Sequence, residues 1–267
     1  AAGLYRAIQS SSSYRADFDL LFGTHLPTDG APGAADRLVL FGVAGDPSYR
    51  QTDFLHVLTK TAALYRSLQA STSYRSDFDL LFGTKITSSG APSVTDRTIL
   101  FNTAGDPFFI QANFLPVLTR TASLYRTLRA SVTYRNDFNL LFSTVIAPAG
   151  ALAVNDRAIL FGVAGDPGYN QASFLPVLVR TASLYRAIRA SASYRNDFNL
   201  LYAAVIKASG SPTMEDRTTL FGVAGTAGYV QSTYLTVLTK TAGLYRSLQT
   251  SAVYRADFNL MYGAMLP

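Results

Sequence analysis

The chain has 267 residues, 48% of them hydrophobic and 15% charged, with a formal net charge of +6. That balance permits a buried core and excludes a disordered, charge-rich chain. Cysteine is absent, which excludes disulfides, thiolate metal sites and cysteine nucleophiles while leaving the compartment open.

The dominant signal is an internal repeat. "LYR" begins at Leu4, Leu64, Leu124, Leu184 and Leu244, sixty residues apart each time. "YR" followed by "DF" recurs from Tyr14, Tyr74, Tyr134, Tyr194 and Tyr254. A period of this size marks an array of supersecondary units rather than one conventional domain. The boundaries that best respect it are a partial repeat, a helix pair, at 1–30 and repeats at 31–90, 91–150, 151–210 and 211–267.

The elements follow in chain order. After the opening helix pair comes a variable loop punctuated by Gly and Pro, "HLPTDGAPGA" in the first copy, which behaves as a surface connection. "DRLVLFGVAG" from Asp36, with copies at Asp96, Asp156 and Asp216, is next. So short an apolar run reads as a helix opened by its Asp or as a buried strand. Neighbouring helices favour helix, so the expected class is all-α, with α+β as the alternative if this segment is a strand. "AGDP" then predicts a left-handed Gly cap and a further turn opened by Asp-Pro.

A long helix follows, about Phe174 to Arg189 in the fourth copy. Phe174, Val177, Leu178, Thr181, Leu184, Tyr185 and Ile188 form one helical face. Asp53, Asn113, Ser173 and Thr233 are the expected N-caps, with Pro116 and Pro176 in the first turn. A shorter helix, about Tyr194 to Tyr202, comes after a serine-marked bend at Ser191 or Ser193, across which the two helices could fuse. In the second full copy the packing seam is Phe114, Val117, Leu118, Tyr125 and Leu128 on the long helix, with Tyr134, Phe138 and Leu141 on the short one. The units stack side by side or stand as separate helical beads.

Little chemistry recurs. His25 and His56 have no counterparts in other copies, so no repeated zinc or haem site is expected. The recurring Ser11, Ser71, Ser131, Ser191 and Ser251 lack a recurring base and read as caps. Asp17, Asp77, Asp137, Asp197 and Asp257 recur. Two residues later stand Asp19, Asp79, Asn139, Asn199 and Asn259, a spacing that points side chains apart on a helix and makes a poor acid–base pair. Arg15–Asp19 and Arg75–Asp79 can pair at i, i+4. Asp36-Arg37, Asp96-Arg97, Asp156-Arg157 and Asp216-Arg217 read as caps with solvated arginines, or as contacts between units or chains, and are kept as candidate inter-unit contacts. Tyr-Arg pairs could stack on single-stranded nucleic acid, but the tyrosines lie on apolar stripes, so nucleic acid is not an expected partner. "FGVAG" is neither a phosphate loop nor a dinucleotide fingerprint.

No catalytic, cofactor or metal residue is therefore assigned, and no enzyme is expected. No apolar run reaches the roughly 20 residues of a membrane span. The opening "AAGLYRAIQ" reads as a processed chain or an excerpt of a longer one. In composition, this Ser- and Ala-rich, cysteine-free array resembles the repetitive parts of secreted fibre and silk-like proteins. The expected function is a non-enzymatic structural repeat protein that self-assembles head to tail. The alternative is a repeat array binding an anionic partner along Arg66, Arg126, Arg186 and Arg246, or a small apolar ligand.

Overall fold

The computed structural model describes residues 1–263. Fourteen α-helices and no strand are present among them: α1 (Ala2–Gln9), α2 (Ser12–Phe22), α3 (Ala34–Ala44), α4 (Gln51–Ala70), α5 (Thr72–Phe82), α6 (Val94–Ala104), α7 (Gln111–Ala130), α8 (Val132–Phe142), α9 (Val154–Gly165), α10 (Gln171–Ala190), α11 (Ala192–Tyr202), α12 (Met214–Gly225), α13 (Gln231–Thr250) and α14 (Ala252–Tyr262). The protein is an all-α array. The "DRLVLFGVAG" segments are helices α3, α6, α9 and α12, which removes the α+β alternative.

Single serines divide the long helix from the short one. Ser71 adopts an extended conformation, φ −117° and ψ 115°. Its N–H closes α4 on the Ser67 carbonyl while its hydroxyl accepts from Tyr74 N–H to open α5. One residue thus ends one helix and caps the next. Ser11, Ser131, Ser191 and Ser251 cap their short helices in the same way, so the two helices do not fuse. Each short helix ends at a left-handed residue: Gly23, Gly83, Ser143, Ala203 and Gly263, with φ between 52° and 69°.

Several expected caps lie elsewhere. The long helices begin at Gln51, Gln111, Gln171 and Gln231, a turn earlier than the apolar stripe. Asp53, Asn113, Ser173 and Thr233 are therefore inside the helix. Asn170 caps α10 through Ala172 N–H and Ser173 N–H. Pro116 and Pro176 sit beyond the first turn, where each removes an i−4 bond. The carbonyls so released belong to Ala112 and Ala172, both exposed to water. Asp36, Asp96, Asp156 and Asp216 are third residues of their helices, not caps. Ser93 and Thr213 are the caps, accepting from the N–H of Asp96 and Asp216.

Gly45 and Gly105 are right-handed, with φ of −88° and −78°, not the left-handed caps expected. What requires glycine there is space: a Cβ would stand 2.8 Å from the Phe41 carbonyl oxygen and 2.7 Å from that of Phe101. The Asp-Pro element is a single turn rather than a helix. Asp46 accepts from Ser48 N–H at 2.8 Å, and Tyr49 N–H bonds the Asp46 carbonyl.

The chain forms two compact units, residues 1–125 with 150–166, and 126–149 with 167–267. In the first, α2 packs on α4, and α4 on α5 and α6. The second repeats this arrangement: α8 packs on α10, α10 on α11 and α12, and α11 on α13. Within each unit, then, the short helix of one copy lies against the long helix of the next, and the copies are stacked rather than separate beads. The core is the stripe facing those contacts. Phe18, Leu58, Leu64, Tyr65, Leu68, Phe78 and Leu81 are fully buried in the first unit, and Phe138, Leu141, Leu178, Leu184 and Ile188 in the second.

Candidate functional site: the junction between copies

The recurring charged residues meet where copies join. Arg66 of α4 donates to Asp17 of α2 at 2.5 Å, and Arg246 of α13 to Asp197 of α11 at 2.5 Å. Arg186 of α10 pairs with Asp137 of α8. The carboxylates are buried and the guanidinia half-exposed. Arginine suits this task because it stays charged and keeps donors in a planar fork.

A second contact involves the Asp-Arg pairs. Arg97 Nη1 donates to the Leu21 carbonyl at 3.2 Å, one of the carbonyls left open at the C-terminus of α2. Its guanidinium lies over the Phe22 ring, 4.5 Å from the centroid. Arg157 does the same with Leu81 and Phe82, and Arg217 with Leu141 and Phe142. Burial pushes all three guanidinium pKa values down from their ordinary level. Helix dipole and ring face both favour a cation there. Arg37 has no such neighbour: it is exposed and donates to the Pro32 carbonyl. Asp96, Asp156 and Asp216 are buried, and Asp216 accepts from Val205 N–H. Asp36 is partly exposed.

Of the seam residues, Leu118, Tyr125, Leu128, Phe138 and Leu141 are buried, whereas Phe114, Val117 and Tyr134 are partly exposed. Phe114 stacks on Phe161, interplanar angle 10°, and Phe54 on Phe101 at 11°. These rings line open grooves. One, about 500 Å³, is bordered by Phe82, Phe109, Phe114, Val117, Arg157 and Phe161. Another, about 470 Å³, is bordered by Phe22, Tyr49, Phe54, Val57, Arg97 and Phe101.

The remaining repeated polar residues serve the fold. Arg15, Arg75 and Arg135 donate to the carbonyls of Gln9, Gln69 and Arg129 at 2.7–2.8 Å, closing the end of the helix before. The expected Arg15–Asp19 and Arg75–Asp79 pairs are thus not made. Asp19 instead accepts from Thr24 Oγ1 at 2.7 Å and Leu26 N–H at 3.0 Å. Asn139 does the same with Thr144 and Ile146. A single acceptor oxygen is needed, so acid and amide alternate freely. Tyr65 Oη donates to the Gly90 carbonyl at 2.8 Å, and Tyr185 Oη to that of Gly210 at 2.8 Å. This latch from helix to variable loop was not anticipated. Its only sequence trace is one glycine at constant phase, held at positive φ.

His25 and His56 are exposed. Among the described residues no group of three or more His, Asp or Glu is placed to hold a metal, and no helix is long and apolar enough to cross a membrane. No protein-family model, curated protein or solved structure matches the chain.

Proposed function

We propose that this is a non-enzymatic structural protein that self-assembles, with copies of the chain joining end to end as part of a secreted fibre or silk-like material. What supports the reading is a contact that recurs between copies: Asp17, Asp137 and Asp197 of short helices are buried against Arg66, Arg186 and Arg246 of the long helices that follow. A junction built from two unlike faces of one repeat can form between chains as well as within one. Joining unlike ends is heterologous, and a heterologous contact that does not close grows without limit. Light scattering after size exclusion over a wide concentration range tests it. Mass should rise with concentration; a constant 28.8 kDa rejects it.

The two aromatic grooves favour a second reading, an array binding small apolar ligands. Saturable binding of an apolar fluorescent dye, lost on Phe114→Ala, would support it. The arginine series suits an anionic partner less well, since Arg66, Arg186 and Arg246 are already held by buried aspartates.

A further inference from the structure

We propose that the groove bordered by Phe82, Phe114 and Phe161 is a binding site for a small aromatic ammonium, its ring system lying on the phenylalanines and its charge beside Asp106. This rests on the ligand-binding reading and names the groove and the head group.

The repeat supplies its own control. Two grooves of nearly equal size, about 470 and 500 Å³, share one frame: Phe54 stacked on Phe101 in the first, Phe114 on Phe161 in the second. Their rims differ in chemistry. Asn102 stands where the other copies have Gly42, Gly162 and Gly222. Phe108 replaces Ser48, Gly168 and Gly228, and Ile110 replaces Arg50, Asn170 and Val230. Asn113 replaces Asp53, Ser173 and Thr233. All four departures line the same groove. Packing does not explain them, because Phe108 is 91% exposed, Ile110 58%, and both asparagines are exposed.

Charge selects the ligand. Asp106 and Arg157 are the charged residues of the lining. Arg157 is already held, donating to the Leu81 carbonyl with its guanidinium over the Phe82 ring. Asp106 is exposed and accepts from Phe108 N–H at 2.7 Å. In the first copy Asp46 also accepts from the Ser48 hydroxyl, a donor that phenylalanine cannot supply. Asp106 therefore keeps capacity for a donor from outside the chain. An ammonium carries only donors. It is drawn to the carboxylate and to the open face of the Phe108 ring. The side-chain oxygens of Asn102 and Asn113 are further acceptors on the same rim. An anion would meet Asp106 as a like charge. The groove's volume is in the range that encloses small ligands.

The chain has no tryptophan, so an indole probe emits apart from the protein's tyrosines. Fluorescence anisotropy titrations of the full chain at neutral pH compare tryptamine with its neutral analogue tryptophol and the anionic indole-3-acetate. Tryptamine should bind saturably at a single site, about tenfold or more tighter than indole-3-acetate, with tryptophol between them. Asp106→Asn, whose side-chain oxygen still accepts from Phe108 N–H, should weaken tryptamine about tenfold and leave tryptophol unchanged. Asp46→Asn should change neither. Phe108→Ser, at an exposed position, should weaken both. Each variant is first checked for an unchanged melt. If indole-3-acetate binds as tightly as tryptamine, or Asp106→Asn has no more effect than Asp46→Asn, the proposal is overturned while ligand binding stands. If the apolar dye binds and no indole does, the proposal again falls alone. If neither dye nor indole binds, the ligand-binding reading falls with it.

Discussion

Arg66 and Asp17 are 49 residues apart in sequence and 2.5 Å apart in space. The aspartate is buried and the arginine half-exposed, so the two partners are not equivalent. If Arg66 is removed, a carboxylate is left without its counter-ion in an apolar junction. If Asp17 is removed, the guanidinium can turn to water.

The pair therefore predicts an asymmetry. Arg66→Ala should destabilise by about 1–3 kcal/mol, below the range for a fully buried pair because water reaches the guanidinium. Asp17→Asn should cost less, about 1 kcal/mol or under. Urea midpoints of the two variants decide it. Equal losses would mean that the carboxylate is solvated in solution.

Left-handed ends of the short helices give a second prediction. Gly23, Gly83 and Gly263 occupy this conformation in three copies, but Ser143 and Ala203 hold it with φ of 56° and 52°. An L-residue pays about 1 kcal/mol there, and glycine very little. Ser143→Gly and Ala203→Gly should each stabilise by about 0.5–1 kcal/mol. Gly83→Ala should lose a similar amount by conformation alone, since nothing lies within 4 Å of its added Cβ. Thermal melts of the three variants measure the signs.

Helix placement was legible because the apolar stripe repeats at helical spacing in every copy. Leu178, Leu184 and Ile188 share the buried face read from the sequence. Helix starts were less legible. Asp53 and Ser173 are good caps by chemistry, but the glutamine two residues earlier already opens the helix. The Asp17–Arg66 contact was not legible, because its partners belong to different copies and only packing fixes which face meets which. Arg66 read instead as a ligand-facing cation. The short helix's second acid was misassigned for a similar reason. A local i, i+4 partner was visible in the sequence, whereas the backbone N–H of Leu26 was not.

That second position supplies a third prediction. Asp79 accepts from Thr84 Oγ1 at 2.6 Å and from Ile86 N–H at 2.9 Å. Asn139 accepts the equivalent pair and also donates to the Ile146 carbonyl at 3.1 Å. Asp79→Asn keeps an acceptor oxygen and should change stability by about 0.5 kcal/mol or less. Asn139→Leu strands a buried hydroxyl and a backbone N–H and should cost about 2 kcal/mol. Denaturant titrations of both variants settle whether acceptance is the job.

Tyr49, beside one of the grooves, and Tyr229, at the same phase of a later copy, give the last. The hydroxyls of Tyr49 and Tyr229 are buried without a hydrogen-bond partner, and Phe109 fills the same phase in another copy. Tyr49→Phe and Tyr229→Phe remove an unsatisfied polar atom and should be neutral or stabilising by up to about 1 kcal/mol at pH 7. Burial raises both phenol pKa values above the ordinary 10. A raised phenol pKa means that the folded state favours the neutral form. The associated stability is fully present below about pH 10, the unfolded value, and drains away as pH climbs from there toward the folded value. Wild type should therefore lose stability as pH rises above about 10, and each phenylalanine variant should lose less. Urea midpoints at pH 7 and about 10.5 compare them, and parallel losses in variant and wild type would show that these two hydroxyls are hydrated in solution.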